Sequence, residues 1–214
     1  MKTLRILLAA VVLVVPQVSA RQASDPLDDL FARSRANLSG LKTVTSSFTE
    51  TTVSSLLREP IIATGTLIAA MPLRVVMTYA TPTPKTVAFD HARLVVDWPS
   101  VKIHEDIDIA ETQRRVQQYF TDFSAKQLRE TFTITLSTEG ETYRLDMVPR
   151  RKQVAAELVR LRLWVDSARL ELVKMTMDYP GGDSKTLELS AVRTNVPIDP
   201  AAFSLLAPPG TPHQ

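Results

Sequence analysis

The 214-residue chain carries 25 Lys and Arg against 23 Asp and Glu and contains no cysteine. Disulfide staples, thiol nucleophiles, iron–sulfur clusters and cysteine-based zinc sites are therefore excluded, and stability has to come from packing. Only 6 glycines stand beside 14 prolines, which argues against a glycine-rich phosphate cradle and for stiff turns.

The chain opens on Lys2 and Arg5, an unbroken apolar run from Ile6 to Val15, and then Val18-Ser19-Ala20. An apolar core of about ten residues is half of what a membrane-spanning helix needs, so the pattern predicts a signal peptide cleaved after Ala20 and a soluble exported chain. Cleavage would remove Lys2 and Arg5 and no acid, leaving 23 charges of each sign on a single domain over 21–214. The pI near 9.0 describes the precursor and lends no support to a nucleic-acid partner.

A short helix is expected next. Asp25 suits its cap, Pro26 its first position and Asp28 its first turn, while Leu27, Leu30, Phe31, Ser34 and Leu38 recur at helical spacing before Gly40. From Leu41 the pattern changes to short stretches of Thr, Val and Leu with proline or polar punctuation, predicting strands near 43–53, 61–70, 73–80, 85–90 and 92–98, the last two joined by a turn at Asp90-His91. Between Ile103 and Gln127 the strand pattern stops. His104, Glu105, Asp106 and Asp108 read as a solvated acidic approach to a helix, and Val116, Tyr119, Phe120 and Phe123 form its aromatic stripe. Strands resume at 131–138 and 141–148, a loop is expected at 150–156, and the clearest alternation follows in Leu161, Leu163 and Val165 and in Val173, Met175, Met177 and Tyr179. Pro180-Gly181-Gly182-Asp183 should turn the chain into a last strand at 184–193.

About ten strands and two or three short helices predict a mainly β (α+β) domain: one curved antiparallel sheet with its apolar face inward. So few helices cannot cover so large a face. The sheet either curls into a filled barrel or stays an open half-barrel with a partly plugged hollow. Catalytic signatures are missing: there is no Gly-x-Ser-x-Gly elbow, and the His104 cluster has Asp108 where a His-Glu-x-x-His zinc site needs its second histidine. No enzyme, cofactor or metal is expected.

Several segments, in order, resemble the LolA family of lipoprotein carriers. They are the Phe48-containing stretch Leu41 to Glu50, Gly65-Thr66-Leu67, the Pro-led strand Pro72 to Tyr79, the hairpin Phe89 to Pro99, Leu145 to Pro149, and Asp199 to Phe203 with Pro208-Pro209-Gly210. Met77 stands where that family usually has tryptophan, His91 where the hairpin turn has glycine, and Met71 where many members carry arginine. The resemblance implies a helical lid over an apolar cavity for acyl chains. It also implies a monomeric periplasmic shuttle that takes acylated lipoprotein from an inner-membrane releasing complex to an outer-membrane acceptor. Another acylated lipid or glycolipid as cargo, or a protein-binding stress-sensing module, are the alternatives.

On this reading the cavity is lined by Phe48, Leu67, Val75, Met77, Phe89, Val96, Trp98, Leu145, Met147, Leu163, Met175 and Met177, with Val116, Tyr119, Phe120 and Phe123 as the lid. Hydrocarbon burial is worth roughly 0.8 kcal/mol per methylene, so a sixteen-carbon chain gains on the order of 10 kcal/mol, enough for a cavity to compete with a bilayer. Methionine suits such a wall because its unbranched side chain adapts to irregular contents.

Overall fold

The computed structural model describes residues 25–111 and 125–207. Helix α1 (Pro26–Ser39) starts where Asp25 accepts a hydrogen bond from the Leu27 N–H at 2.9 Å and ends at Gly40. Eleven strands follow: β1 (Thr43–Val53), β2 (Ile61–Ala70), β3 (Arg74–Thr81), β4 (Lys85–Phe89), β5 (Arg93–Trp98), β6 (Ile103–Asp108), β7 (Phe132–Glu139), β8 (Thr142–Pro149), β9 (Arg160–Asp166), β10 (Leu172–Asp178) and β11 (Ser184–Thr194). Helix α2 (Ala125–Thr131) leads into β7, and a single turn, α3 (Lys152–Ala155), lies between β8 and β9. Two 3-10 turns, Pro180–Gly182 and Pro200–Leu206, complete the described elements.

All eleven strands form one antiparallel sheet in the order β6-β5-β4-β3-β2-β1-β11-β10-β9-β8-β7. It does not close: β6 and β7 are its edges, and the architecture is the expected mainly β half-barrel with short helices. The turn at Gly181 and Gly182 requires glycine, since both residues have φ of 88°.

Two local expectations fail. The acidic stretch 103–108 is not a helix approach; it is the edge strand β6, paired with β5 through Trp98↔Ile103 and Arg93↔Asp108. An edge strand keeps one row of backbone groups and both side-chain rows in water, so charged residues are tolerated there and the apolar alternation fades to Ile103 and Ile107. The stretch 150–156, expected as a loop, contains α3, where Ala155 and Ala156 N–H groups close back on the Arg151 and Lys152 carbonyls.

The two faces of the sheet differ. The outer face over β8–β11 is charged, with Arg162 paired to Asp178 at 2.6 Å and Lys174 to Glu188 at 2.8 Å. Over β2–β5 the outer face is apolar, and Ala70, Val76, Ala88 and Val95 are sealed by Phe203 and Leu206 of the last 3-10 turn. Arg93 donates to the Leu206 and Ala207 carbonyls, while the Arg74 guanidinium lies 4.7 Å from the Phe203 ring centre. On the inner face the principal core packs α1 and α2 on β7–β9 through Leu27, Leu30, Leu128, Phe132, Leu145 and Met147. Arg129 of α2 ties the helices together, reaching Asp25 at 2.6 Å and Asp28 at 2.9 Å.

The β4–β5 turn rests on one carboxylate. Asp90 accepts from the Ala92 and Arg93 N–H groups, both at 2.8 Å. Burial pushes its carboxyl up, but those two N–H groups, aided by neighbouring positive charge, outweigh burial and hold it below the usual carboxylate range. Such a group stabilises the fold fully above its unfolded value of about 3.9, and that contribution is lost as pH falls through the folded value. Asp90→Ala should therefore cost stability at neutral pH, with the gap from the parent narrowing below about pH 4 in urea unfolding. A gap that stays constant into acid would show that the charge is irrelevant.

Candidate functional site: the inner face of the half-barrel

Directly opposed residues of an antiparallel pair share a face, as do residues two apart along a strand. Starting from Phe48, the register runs through Gly65 and, two residues on, from Leu67 to Met77, Val87 and Val96. Val75 and Phe89 oppose each other in the neighbouring row, and Trp98 follows Val96. In the other direction Phe48 opposes Leu189, and Leu187 leads to Met175, Leu163 and Leu145, with Met177 and Met147 one row away. All twelve residues assigned from sequence to an apolar cavity thus share the inner face.

Their surroundings are not uniform. Leu145 and Met147 are buried beneath α1 and α2, so around them the hollow is filled by protein. Phe48 is buried at the sheet centre, its ring edge-on to Tyr79 with centroids 4.9 Å apart. Leu67, Val75, Met77, Phe89, Val96, Trp98, Leu163, Met175 and Met177 are half-buried. Val116, Tyr119, Phe120 and Phe123 lie outside the described residues.

Two cavities flank the central Phe48, Ala63 and Tyr79 cluster. The larger, about 500 Å³, lies where the C-terminal half of α1 overhangs β10 and β11, lined by Leu38, Leu41, Val44, Leu172, Leu189 and Val192 among others. Leu38 belongs to the packing stripe of α1 yet is 53% exposed, because it hangs over this space. The volume lies within the roughly 300–1,000 Å³ range of small-molecule sites. None of the twelve predicted residues lines it. Leu189 follows simple alternation from Leu187, but Leu172 and Val192 do not. Leu172 is three residues before Met175, where the β9–β10 ladder shifts between Leu172 and Lys174. Val192 is three residues past Leu189: the β1–β11 ladder slips between Thr45 and Ser47, and Ala191 takes φ of 51° to accommodate the extra residue. That bulge hides Val192 from a period-two reading.

The second cavity, about 340 Å³, opens at the other end of the sheet beside Trp98, Ile61, Ala63 and the Pro82-Thr83 turn. Its polar groups form one chain. Tyr79 donates to Glu50 at 3.0 Å, Lys185 lies 3.3 Å from the same carboxylate, and the Lys85 ammonium sits 4.5 Å from the Tyr79 ring centre. Burial, then the Glu50 charge, pushes the Tyr79 hydroxyl well above its ordinary value, so it stays protonated as a donor. A third hollow, about 470 Å³, lies between the N-terminal half of α1 and β7–β8 and is lined by Leu27, Leu30, Ile134 and Leu136 with Asp29, Arg33 and Arg129.

The His104 stretch does not converge. Strand alternation turns Glu105 to the face opposite His104, Asp106 and Asp108, and Asp106 is held by Arg93. Among the described residues no group of three or more His, Asp or Glu is placed to hold a metal ion.

The fold resembles several solved structures at low sequence identity. Mycobacterium tuberculosis lipoprotein LppX has a TM-score of 0.51 at 16% identity, the match covering 82% of this chain and 99% of that one. An uncharacterized conserved protein from Thermus thermophilus gives 0.52 at 9%, covering 82% and 91%. A chain of the Pseudomonas aeruginosa MucA/MucB complex gives 0.50 at 12%, with 86% of this chain covered and 62% of that one. No curated protein matches in sequence. The family model described as outer membrane lipoprotein carrier protein LolA matches residues 39–205, from the end of α1 through the 3-10 turn that seals the outer face. The chain belongs to the LolA family.

Proposed function

We propose that the protein is a non-enzymatic periplasmic carrier that holds acyl chains of lipoproteins against the inner face of its half-barrel and moves them between the inner and outer membranes. The observation that carries this reading is the half-buried apolar row across an unclosed sheet, ending in the 500 Å³ hollow under α1. A filled barrel would have no such row. Family membership supports the lipoprotein as cargo, and an inner-membrane releasing complex and outer-membrane acceptor as partners. The sequence carries no nucleotide-binding motif, so energy for loading would come from the inner-membrane partner.

Mass spectrometry of protein purified without detergent tests the cargo. Acylated peptides are expected. Free lipid or glycolipid would change the cargo and keep the pocket, and a chain free of hydrocarbon that binds no acylated peptide would overturn the reading in favour of a protein-binding module. The pocket itself is tested by Leu172→Glu with Val192→Glu. Each places a carboxylate where hydrocarbon should lie, and binding of a fluorescent acyl peptide is expected to fall by about tenfold or more. Unchanged affinity would remove this hollow from the site.

A further inference from the structure

Antiparallel alternation sends the β1–β2, β3–β4, β5–β6, β8–β9 and β10–β11 connections to the same end of the sheet. This rim is unlike the other. Leu56, at the tip of the β1–β2 loop, is 91% exposed; Ile62 at the root of that loop is 58% exposed, and Val101 in the β5–β6 turn 60%. Leu57, Ile61 and Val159 add further exposed apolar surface along the same rim. Single exposed apolar residues need no explanation, but here four stand together on the β1–β2 loop and its root, with Val101 and Val159 on two further connections of the same rim, and such a concentration marks an interaction surface.

The charges between them are mostly positive. Arg58, Lys102, Arg150, Arg151 and Lys152 are all exposed on these connections, against Glu59, Glu157 and the half-buried Asp183, which accepts from the Ser55 N–H. At the opposite rim the β4–β5, β7–β8 and β9–β10 turns carry Asp90, Glu139, Glu141, Asp166 and Glu171, with Arg169 ion-paired to Asp166 and Glu171. The 340 Å³ cavity opens on the basic rim, with Lys85 and Lys185 at its mouth and Trp98 in its wall.

We infer that the basic rim docks on a bilayer bearing anionic head groups, with the Leu56-Leu57 tip entering the interface and the cations contacting phosphates. Apolar tips interleaved with cations fit a lipid surface, where the leucines lose water to acyl chains and the cations keep theirs among the head groups. This deepens the carrier reading, on which it rests for its purpose: cargo would leave or enter the membrane at the end of the half-barrel that touches it.

Vesicle flotation tests the inference, using phosphatidylcholine alone and an equal mixture with phosphatidylglycerol. The protein is expected to float with the mixed vesicles, less so as salt rises. Leu56→Ser with Leu57→Ser should weaken binding by about tenfold or more, as should Arg58→Gln with Lys102→Gln, while Met71→Ser in the β2–β3 turn of the far rim should not. These positions are exposed, so the fold is expected to survive, and far-UV circular dichroism checks that.

No flotation, or flotation indifferent to the leucine pair, overturns the inference. Leucine-dependent self-association in sedimentation without flotation does so too, assigning the rim to a second copy of the chain. A separate arm keeps the carrier reading distinguishable. The fluorescent acyl peptide in vesicle-free solution should bind the hollow under α1 and lose affinity in Leu172→Glu with Val192→Glu. Acyl binding without flotation retires the rim alone. Flotation without acyl binding leaves a membrane-docking protein and retires the carrier.

Discussion

Phe132→Ala is expected to cost about 3–5 kcal/mol, lowering the thermal midpoint by about 10 °C. Phe132 is 2% exposed and stands where α2 becomes β7. Its ring belongs to the cluster of Leu27 and Leu30 from α1, Leu128 from α2, and Leu145 and Met147 from β8. Those neighbours are anchored on separate elements that the strand ladder and the Arg129 clasp hold apart, so they cannot collapse into the space left behind. Ile107→Ala on edge strand β6, where the side chain is 44% exposed, is the matched control and should change stability by less than about 0.5 kcal/mol. A loss at Phe132 below about 1 kcal/mol would mean that the helices rest loosely on the sheet.

Gly65→Ala is the second large effect, and it arises from excess volume. A Cβ at Gly65 would stand 2.1 Å from the Thr78 carbonyl oxygen and 2.7 Å from Cζ of Phe48. The carbonyl is backbone of the neighbouring strand, at a point where the β2–β3 register already shifts between Thr64 and Gly65, so the ladder itself has to move. The expected cost is about 3 kcal/mol, the upper end for one added carbon in a packed site. Phe48→Leu in the Gly65→Ala background separates the causes. It removes the ring contact only, so it should restore little stability. Full recovery in urea unfolding would show that the ring is the obstacle and the backbone yields.

Much of the fold is legible in the chain because antiparallel strands advertise their faces. Leu161, Leu163 and Val165 alternate with Arg160, Arg162 and Trp164, and that contrast is the difference between the inner face and the ion-paired outer face. The same periodicity is enough to put Phe48, Met77, Val96 and Met175 on a common side before any register is known. It fails where the environment is symmetrical. β6 is wet on both faces, so its side chains report no direction, and its acids resemble a helix approach.

The candidate site is legible in part, for a different reason. Which inner-face residues line open space depends on where α1 lands, and the helix covers Leu145 and Met147 while overhanging Leu172 and Leu189. Nothing local to those strands encodes that choice. Val192 is further concealed by the extra residue at Ala191. The basic rim is invisible in a linear reading because its parts come from turns far apart in sequence, and only the sheet order gathers Arg58, Val101 and Arg150 at one end.

The pairing of β1 with β11 has a consequence for how the chain is assembled. Residues 43–108 and 132–194 each make a meander of consecutive hairpins, and the two join through the single seam from Val44↔Thr194 to Val53↔Ser184. During synthesis or export from the amino end, β1 gains its β2 neighbour early and then waits for the last strand of the domain. Throughout that interval it presents a bare hydrogen-bonding edge eleven residues long.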